Sequence, residues 1–174
     1  YYSTVKEINL FRQKIKTSKS LRFSVNILIN NNYWSYESLN ILEKEISNIY
    51  DKFDVNNFIT FCEIEEIVSV IKDKKLKFES IIKKSKDNIV LSQIRFNIAQ
   101  KIVYKLKNYL FFVIDSGYVN NDQRSDYFVE LKNMIGDNIS IVIKKNEKNN
   151  ISEIVINSNN NEYQNKNFKD FLCK

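Results

Sequence analysis

A carboxylate that closes an apolar run is the first place in this sequence where chemistry could be done. Leu110-Phe111-Phe112-Val113-Ile114-Asp115 reads as a buried strand ending on Asp115. At the carboxyl end of a parallel strand, where open α/β sheets bind their ligands, an aspartate can hold Mg²⁺ through water. The plain alternative is an aspartate that starts a turn or caps a helix. Other catalytic parts are scarce. The chain has no histidine, which excludes a His general base, Ser-His and Cys-His nucleophile pairs and every zinc site built on imidazole. Cys62 and Cys173 are too few for an all-thiolate zinc site and do not form the dense pattern of a disulfide scaffold, so a reducing intracellular compartment, cytoplasmic or nuclear, is expected. With 2 glycines and no proline, there is little backbone suited to cradling phosphates. No Gly-x-x-x-x-Gly-Lys-Ser/Thr loop occurs.

Two segments extend the reading of Asp115. The first is Leu91-Ser92-Gln93-Ile94-Arg95-Phe96-Asn97-Ile98-Ala99, opening a helix; the second is Val113-Ile114-Asp115-Ser116-Gly117-Tyr118-Val119-Asn120-Asn121-Asp122. In order and spacing they resemble the C-terminal lobe of ABC-type ATPase heads in SMC-like chromosome-maintenance and DNA-repair proteins. By that resemblance Ser92 corresponds to the signature serine, Asp115 to the Walker B aspartate and metal ligand, Gly117 to the glycine after it, and Asp122 to the D-loop aspartate. The sequence departs from the family where turnover is concerned. Ser116 stands in the place of the catalytic glutamate, Gln93 and Ile94 replace signature glycines, and the switch histidine is missing. The resemblance covers about a third of the chain and implies a lobe that does not hydrolyse nucleotide by itself. No cofactor is expected in the isolated chain; ATP and Mg would be held only with a complementary lobe.

Binding surfaces are suggested elsewhere. Lys72, Lys74, Lys75 and Lys77, then Lys83, Lys84 and Lys86, with Lys101, Lys105 and Lys107, could follow a phosphate backbone, Lys101 and Lys105 sharing one side of a helix. A solvated face is the plain alternative. Tyr33, Trp34 and Tyr36 cluster at a strand-to-helix turn, where rings could anchor a protein partner or stack on bases, or simply pack over a sheet edge.

The elements that would position these residues follow from periodicity. Ser3–Lys16 has near-helical apolar spacing. Leu21–Asn30 alternates as a strand, Ser35 is placed to cap a helix reaching about Tyr50, and Phe58–Cys62 reads as a short buried strand. A helix opened by Glu63, Glu65 and Glu66 is expected to end before Lys72, Lys74 and Lys75, matching the helix dipole at both termini. A short helix over Leu76–Lys84 and a longer one over Gln93–Lys107, with Ile94, Ile98, Ile102 and Leu106 down one side, follow. Tyr109–Asp115, apolar without alternation, is expected at the centre of the sheet. Asp122 would cap a helix carrying Phe128, Leu131 and Ile135 that closes at Gly136; Ile139–Ile143 and Ile151–Ile156 complete the strands.

These readings compose an α/β domain over 1–157, with a mixed, mostly parallel central sheet of about five strands flanked by helices, and an Asn-rich mobile tail over 158–174. The chain has 174 residues, 43% hydrophobic and 13% aromatic, enough for a core. Its longest apolar runs fall far short of the roughly 20 residues that span a bilayer, so no membrane association is expected. It opens at Tyr1-Tyr2 and its one methionine is Met134, which points to a piece of a longer polypeptide. Against 21 acidic residues stand 27 basic ones, a net charge of +6, which favours polyanions modestly. The expected function is that of a non-hydrolysing interaction domain in a DNA-associated assembly, with another protein or the rest of its own polypeptide as partner. The alternative is a protein–protein interaction domain with no nucleotide or nucleic-acid role.

Overall fold

The computed structural model describes residues 2–23, 27–55, 60–145 and 153–158. In chain order the elements are α1 (Tyr2–Ser18), β1 (Ser20–Phe23), β2 (Ile27–Asn30), the single turn α2 (Asn31–Trp34), α3 (Ser38–Val55), α4 (Phe61–Lys107), β3 (Phe112–Tyr118), β4 (Tyr127–Lys132), β5 (Asn138–Lys144) and β6 (Glu153–Ser158). Two compact units divide the chain at Tyr1–Ile89 and Val90–Lys174, so each takes part of α4.

In the first unit α1 buries Thr4, Ile8, Phe11 and Ile15, steps of four, three and four that keep one helix face inward. These meet Leu39, Leu42 and Ile46 of α3 and Ile71 and Phe78 of α4. Phe11 and Phe78 stand edge to face at 5.8 Å. Carboxylates on α1 and α3 take up the lysines of α4: Glu45 accepts from Lys74 at 2.7 Å and from Lys77 at 3.2 Å, and Glu7 pairs with Lys75. The hydrogen bonds from Lys74 and Lys77 hold the Glu45 carboxyl below its ordinary range despite partial desolvation. A buried polar network secures α2. Asn31 donates to the Ser18 carbonyl at 2.8 Å, the Ser85 hydroxyl reaches the Asn31 carbonyl at 3.3 Å, and Asn88 donates to the Trp34 carbonyl at 2.9 Å.

α4 runs for 47 residues, and nothing in Phe61–Lys107 interrupts it, since the stretch has neither glycine nor proline. Thr60 caps it reciprocally. Its hydroxyl accepts from the Glu63 N–H at 3.3 Å, while its own N–H and hydroxyl donate to the Glu63 carboxylate at 2.8 Å each. Those two donors hold the Glu63 carboxyl below its ordinary range.

The second unit is an antiparallel sheet in the order β3-β4-β5-β6, a plain meander, against which the last part of α4 packs. Tyr127, Val129 and Leu131 alternate inward on β4, as do Ile139, Ile141 and Ile143 on β5, and both sets meet Ala99, Ile102, Val103 and Leu106. Each fully buried aliphatic side chain contributes about 1.5–3 kcal/mol.

The expected mostly parallel five-stranded sheet is overturned. Every strand pair is antiparallel, and the first unit holds a separate two-stranded hairpin of β1 and β2. Leu21–Asn30 is two strands with Ser20 opposite Asn30 and Phe23 opposite Ile27, because period-two alternation continues through a chain reversal as readily as along one strand. Ser35 closes α2 rather than opening the next helix. Phe61 and Cys62, expected in a buried strand, lie exposed in the first turn of α4; residues 58 and 59 are outside the described residues. Lys72, Lys74 and Lys75 fall inside α4, not beyond a helix end. The run around Tyr109–Asp115 is at the sheet's edge, not its centre. Phe128 and Leu131, expected on a helix capped by Asp122, lie on β4, and Gly136 sits in the β4–β5 turn at φ 104°. β5 covers the expected Ile139–Ile143, and β6 overlaps the expected Ile151–Ile156 from Glu153 on, residues 151 and 152 lying outside the described residues. Ser158 ends β6, and the rest of the expected tail lies outside the described residues. No helix among the described residues is long and apolar enough to cross a membrane.

Candidate functional site

The four residues singled out by the resemblance have local partners. Ser92 is buried, its hydroxyl donating to the Tyr118 hydroxyl at 2.8 Å while Tyr118 donates to the Ser92 carbonyl at 3.0 Å. That exchange fastens the end of β3 to α4, with the Tyr118 ring edge-on to Tyr127 at 4.8 Å. Asp115 lies in mid-strand and is exposed; one oxygen accepts from the Ser116 N–H at 2.8 Å. Gly117 pairs with Phe128, whose ring carbon would lie 3.7 Å from an added Cβ. Asp122 accepts from the Arg124 N–H at 2.9 Å and receives the Arg124 guanidinium on both oxygens. This is a closed turn rather than a helix cap. Among the described residues no group of three or more His, Cys, Asp or Glu side chains is placed to hold a metal ion.

The lysines separate into two kinds. Lys74, Lys75 and Lys77 are tied to carboxylates of α1 and α3. Lys83 and Lys84 in the first unit, and Lys101 and Lys105 in the second, are exposed and make no ion pair among the described residues. Of the three rings, Trp34 is buried and meets Tyr33 edge to face at 5.2 Å, while Tyr36 is exposed at φ 52°.

The least expected surface lies between α4 and β4. Phe112, Val113, Ile114, Asp115 and Ser116 are all exposed, so over these residues β3 is uncovered on both faces, and its edge away from β4 meets no strand among the described residues. The pairing with β4 slips between Val113 and Asp115, leaving Ile114 in a bulge. Immediately upstream Tyr109 is 53% and Leu110 68% exposed. Leu110 also has φ 62°, a left-handed conformation costing a bulky residue roughly 1–2 kcal/mol. It is held there by the helix end: the Leu110 N–H donates to the Lys107 carbonyl at 3.1 Å and the Phe111 N–H to the Leu106 carbonyl at 3.3 Å. That is the pair of bonds that usually carries glycine at this position. Phe111 in turn packs on the core beside Leu106.

From Asn88 to Ile114 the chain carries Arg95, Lys101, Lys105 and Lys107 and no acidic residue. Arg95 is buried and donates to the Gln123 carbonyl at 3.0 Å; the three lysines are exposed. Sequence reasoning missed this surface because an apolar run without alternation reads as covered on both sides. The acid-free basic approach to it was the available signal. Comparison with protein-family models, characterised proteins and solved structures finds no match for the chain.

Proposed function

We propose that this chain is an interaction domain whose contact surface is the exposed apolar run Tyr109–Ile114, acting without nucleotide chemistry of its own. One observation carries the reading: the most continuously apolar segment of the described chain runs into a sheet-edge strand whose first five residues are all exposed. Exposed apolar patches of this kind mark association sites. Proteins captured by the wild-type chain are compared with those captured by a folded F112D/I114D variant. A specific set lost from the variant is expected; identical sets would overturn the reading.

A second reading, contact with nucleic acid inside a DNA-associated assembly, is favoured by Lys83, Lys84, Lys101 and Lys105, which are exposed and make no ion pair among the described residues, whereas Lys74, Lys75 and Lys77 of the same helix are paired. Such binding would tolerate any sequence and fall steeply with salt as counterions are released. A salt titration of duplex DNA binding on wild type and K101E/K105E decides it, a flat slope in both removing nucleic acid as a direct partner.

A further inference from the structure

We propose that the open edge of β3, with Leu110 at its entrance, receives an extended partner segment carrying acidic residues beside its apolar ones, which adds as a fifth strand to the sheet of the second unit. The inference rests on the interaction reading and names the partner's chemistry. Three features lead to it. β3 is a terminal strand, paired with β4 on one side and with no strand on the other among the described residues, and an unpaired strand edge presents main-chain donors and acceptors that another strand satisfies. Phe112, Val113 and Ile114 are 50%, 39% and 55% exposed, so an added strand would cover apolar surface besides completing hydrogen bonds. Charge changes along the edge and is basic where the strand begins. Lys105 and Lys107 precede it, Lys132 stands opposite Phe112 on β4, and no acidic residue occurs from Asn88 to Ile114, the acidic pair Asp115 and Glu130 coming only after the Ile114 bulge. A second copy of this chain would bring the same lysines and the same net charge of +6; an acidic segment brings the complement.

Leu110 supports the same occupant. A glycine would close the helix there without strain, yet a leucine holds the left-handed conformation and exposes its side chain. Local rules are broken in this way where a side chain serves something other than the fold. Here it would anchor the incoming segment.

The full chain is titrated with labelled synthetic peptides of about a dozen residues, a length that covers β3 with flanks to spare. One alternates valine and threonine between glutamate flanks, one has lysine flanks, and one keeps the glutamates but has proline at alternate positions. The glutamate-flanked peptide is expected to bind, with the lysine-flanked one about tenfold weaker, as suits two or three partly screened charge contacts. The proline peptide, unable to donate to the ladder, should not bind. L110G and F112D should each weaken the first peptide, while I41D, at an exposed position of α3 in the first unit, should leave it unchanged. Failure of the glutamate-flanked peptide to bind, or equal binding by the proline peptide, overturns strand addition. If that happens while F112D/I114D still loses captured proteins, the interaction reading stands without it; if capture is also unchanged, both fall.

Discussion

Asp115 stands directly across from Glu130 on the neighbouring strand, and both are exposed. Like charges facing each other across a ladder are destabilising, while an opposite pair contributes roughly 0.2–1 kcal/mol. D115K is therefore expected to raise stability by an amount of that order, read as a higher denaturant midpoint at unchanged slope. A drop would show that the carboxylate has a role that the pairing does not reveal. Leu110 gives a second residue-scale test. L110G should relieve left-handed strain and stabilise by about 1 kcal/mol, less what glycine's extra freedom in the unfolded chain removes. A destabilised L110G would mean that the side chain supports the fold. Glu45 sets a pH dependence. Its folded carboxyl lies below the ordinary value of 4.5, so its contribution is fully present above that value and fades as pH falls through the lower folded one. E45Q should flatten the acid branch of the stability profile, and an unchanged branch would count against the Lys74–Glu45–Lys77 contacts.

At the scale of elements, α4 and β3 make opposite predictions for phenylalanine. F78A removes a ring that is 4% exposed and edge-on to Phe11, and should cost about 3–5 kcal/mol. F112A removes a half-exposed ring and should cost about 1 kcal/mol or less; equal losses would contradict the edge position of β3. T60A, which removes the α4 cap, should cost about 1 kcal/mol. α1, β5 and β6 were legible in the sequence because their apolar spacing matches a single period throughout. α4 was broken into pieces because its lysines resemble helix ends when read alone, whereas Glu7 and Glu45 on other helices make them tolerable in its middle. A better signal was present. Ile64, Ile71, Phe78, Ser85, Ser92, Ala99 and Leu106 recur every seven residues with no glycine or proline between, a repeat that favours one long helix. β4 was misread because Phe128, Leu131 and Ile135 fit helical spacing, while the buried set is the alternating Tyr127, Val129 and Leu131. Of the candidate site, Asp115 drew attention to the strand of the proposed surface for a reason the antiparallel sheet does not support. The exposure of that strand could not be read from an apolar run, since the same residues would suit a covered one.

At the scale of the whole molecule, the two units have separate apolar clusters, one around Ile8, Leu42 and Phe78 and the other around Leu106, Leu131 and Ile141. L42A and L131A should each cost about 2–5 kcal/mol. Hydrogen exchange should rise mainly within the unit that carries the change, and a uniform rise across both would mean that they open together. The exposed β3 run has a consequence for handling the chain in solution. Tyr109–Ile114 is six residues of high strand propensity with no charge, glycine or proline, the composition of segments that nucleate fibrils. Lys107 and Asp115 flank it in the manner of gatekeepers, and the bulge at Ile114 roughens the template. Part of the barrier to aggregation is then electrostatic, and concentrated salt would thin it by screening the repulsion between chains. Light scattering from the stored protein should grow faster at high ionic strength than at low, and an occupied edge should abolish the difference.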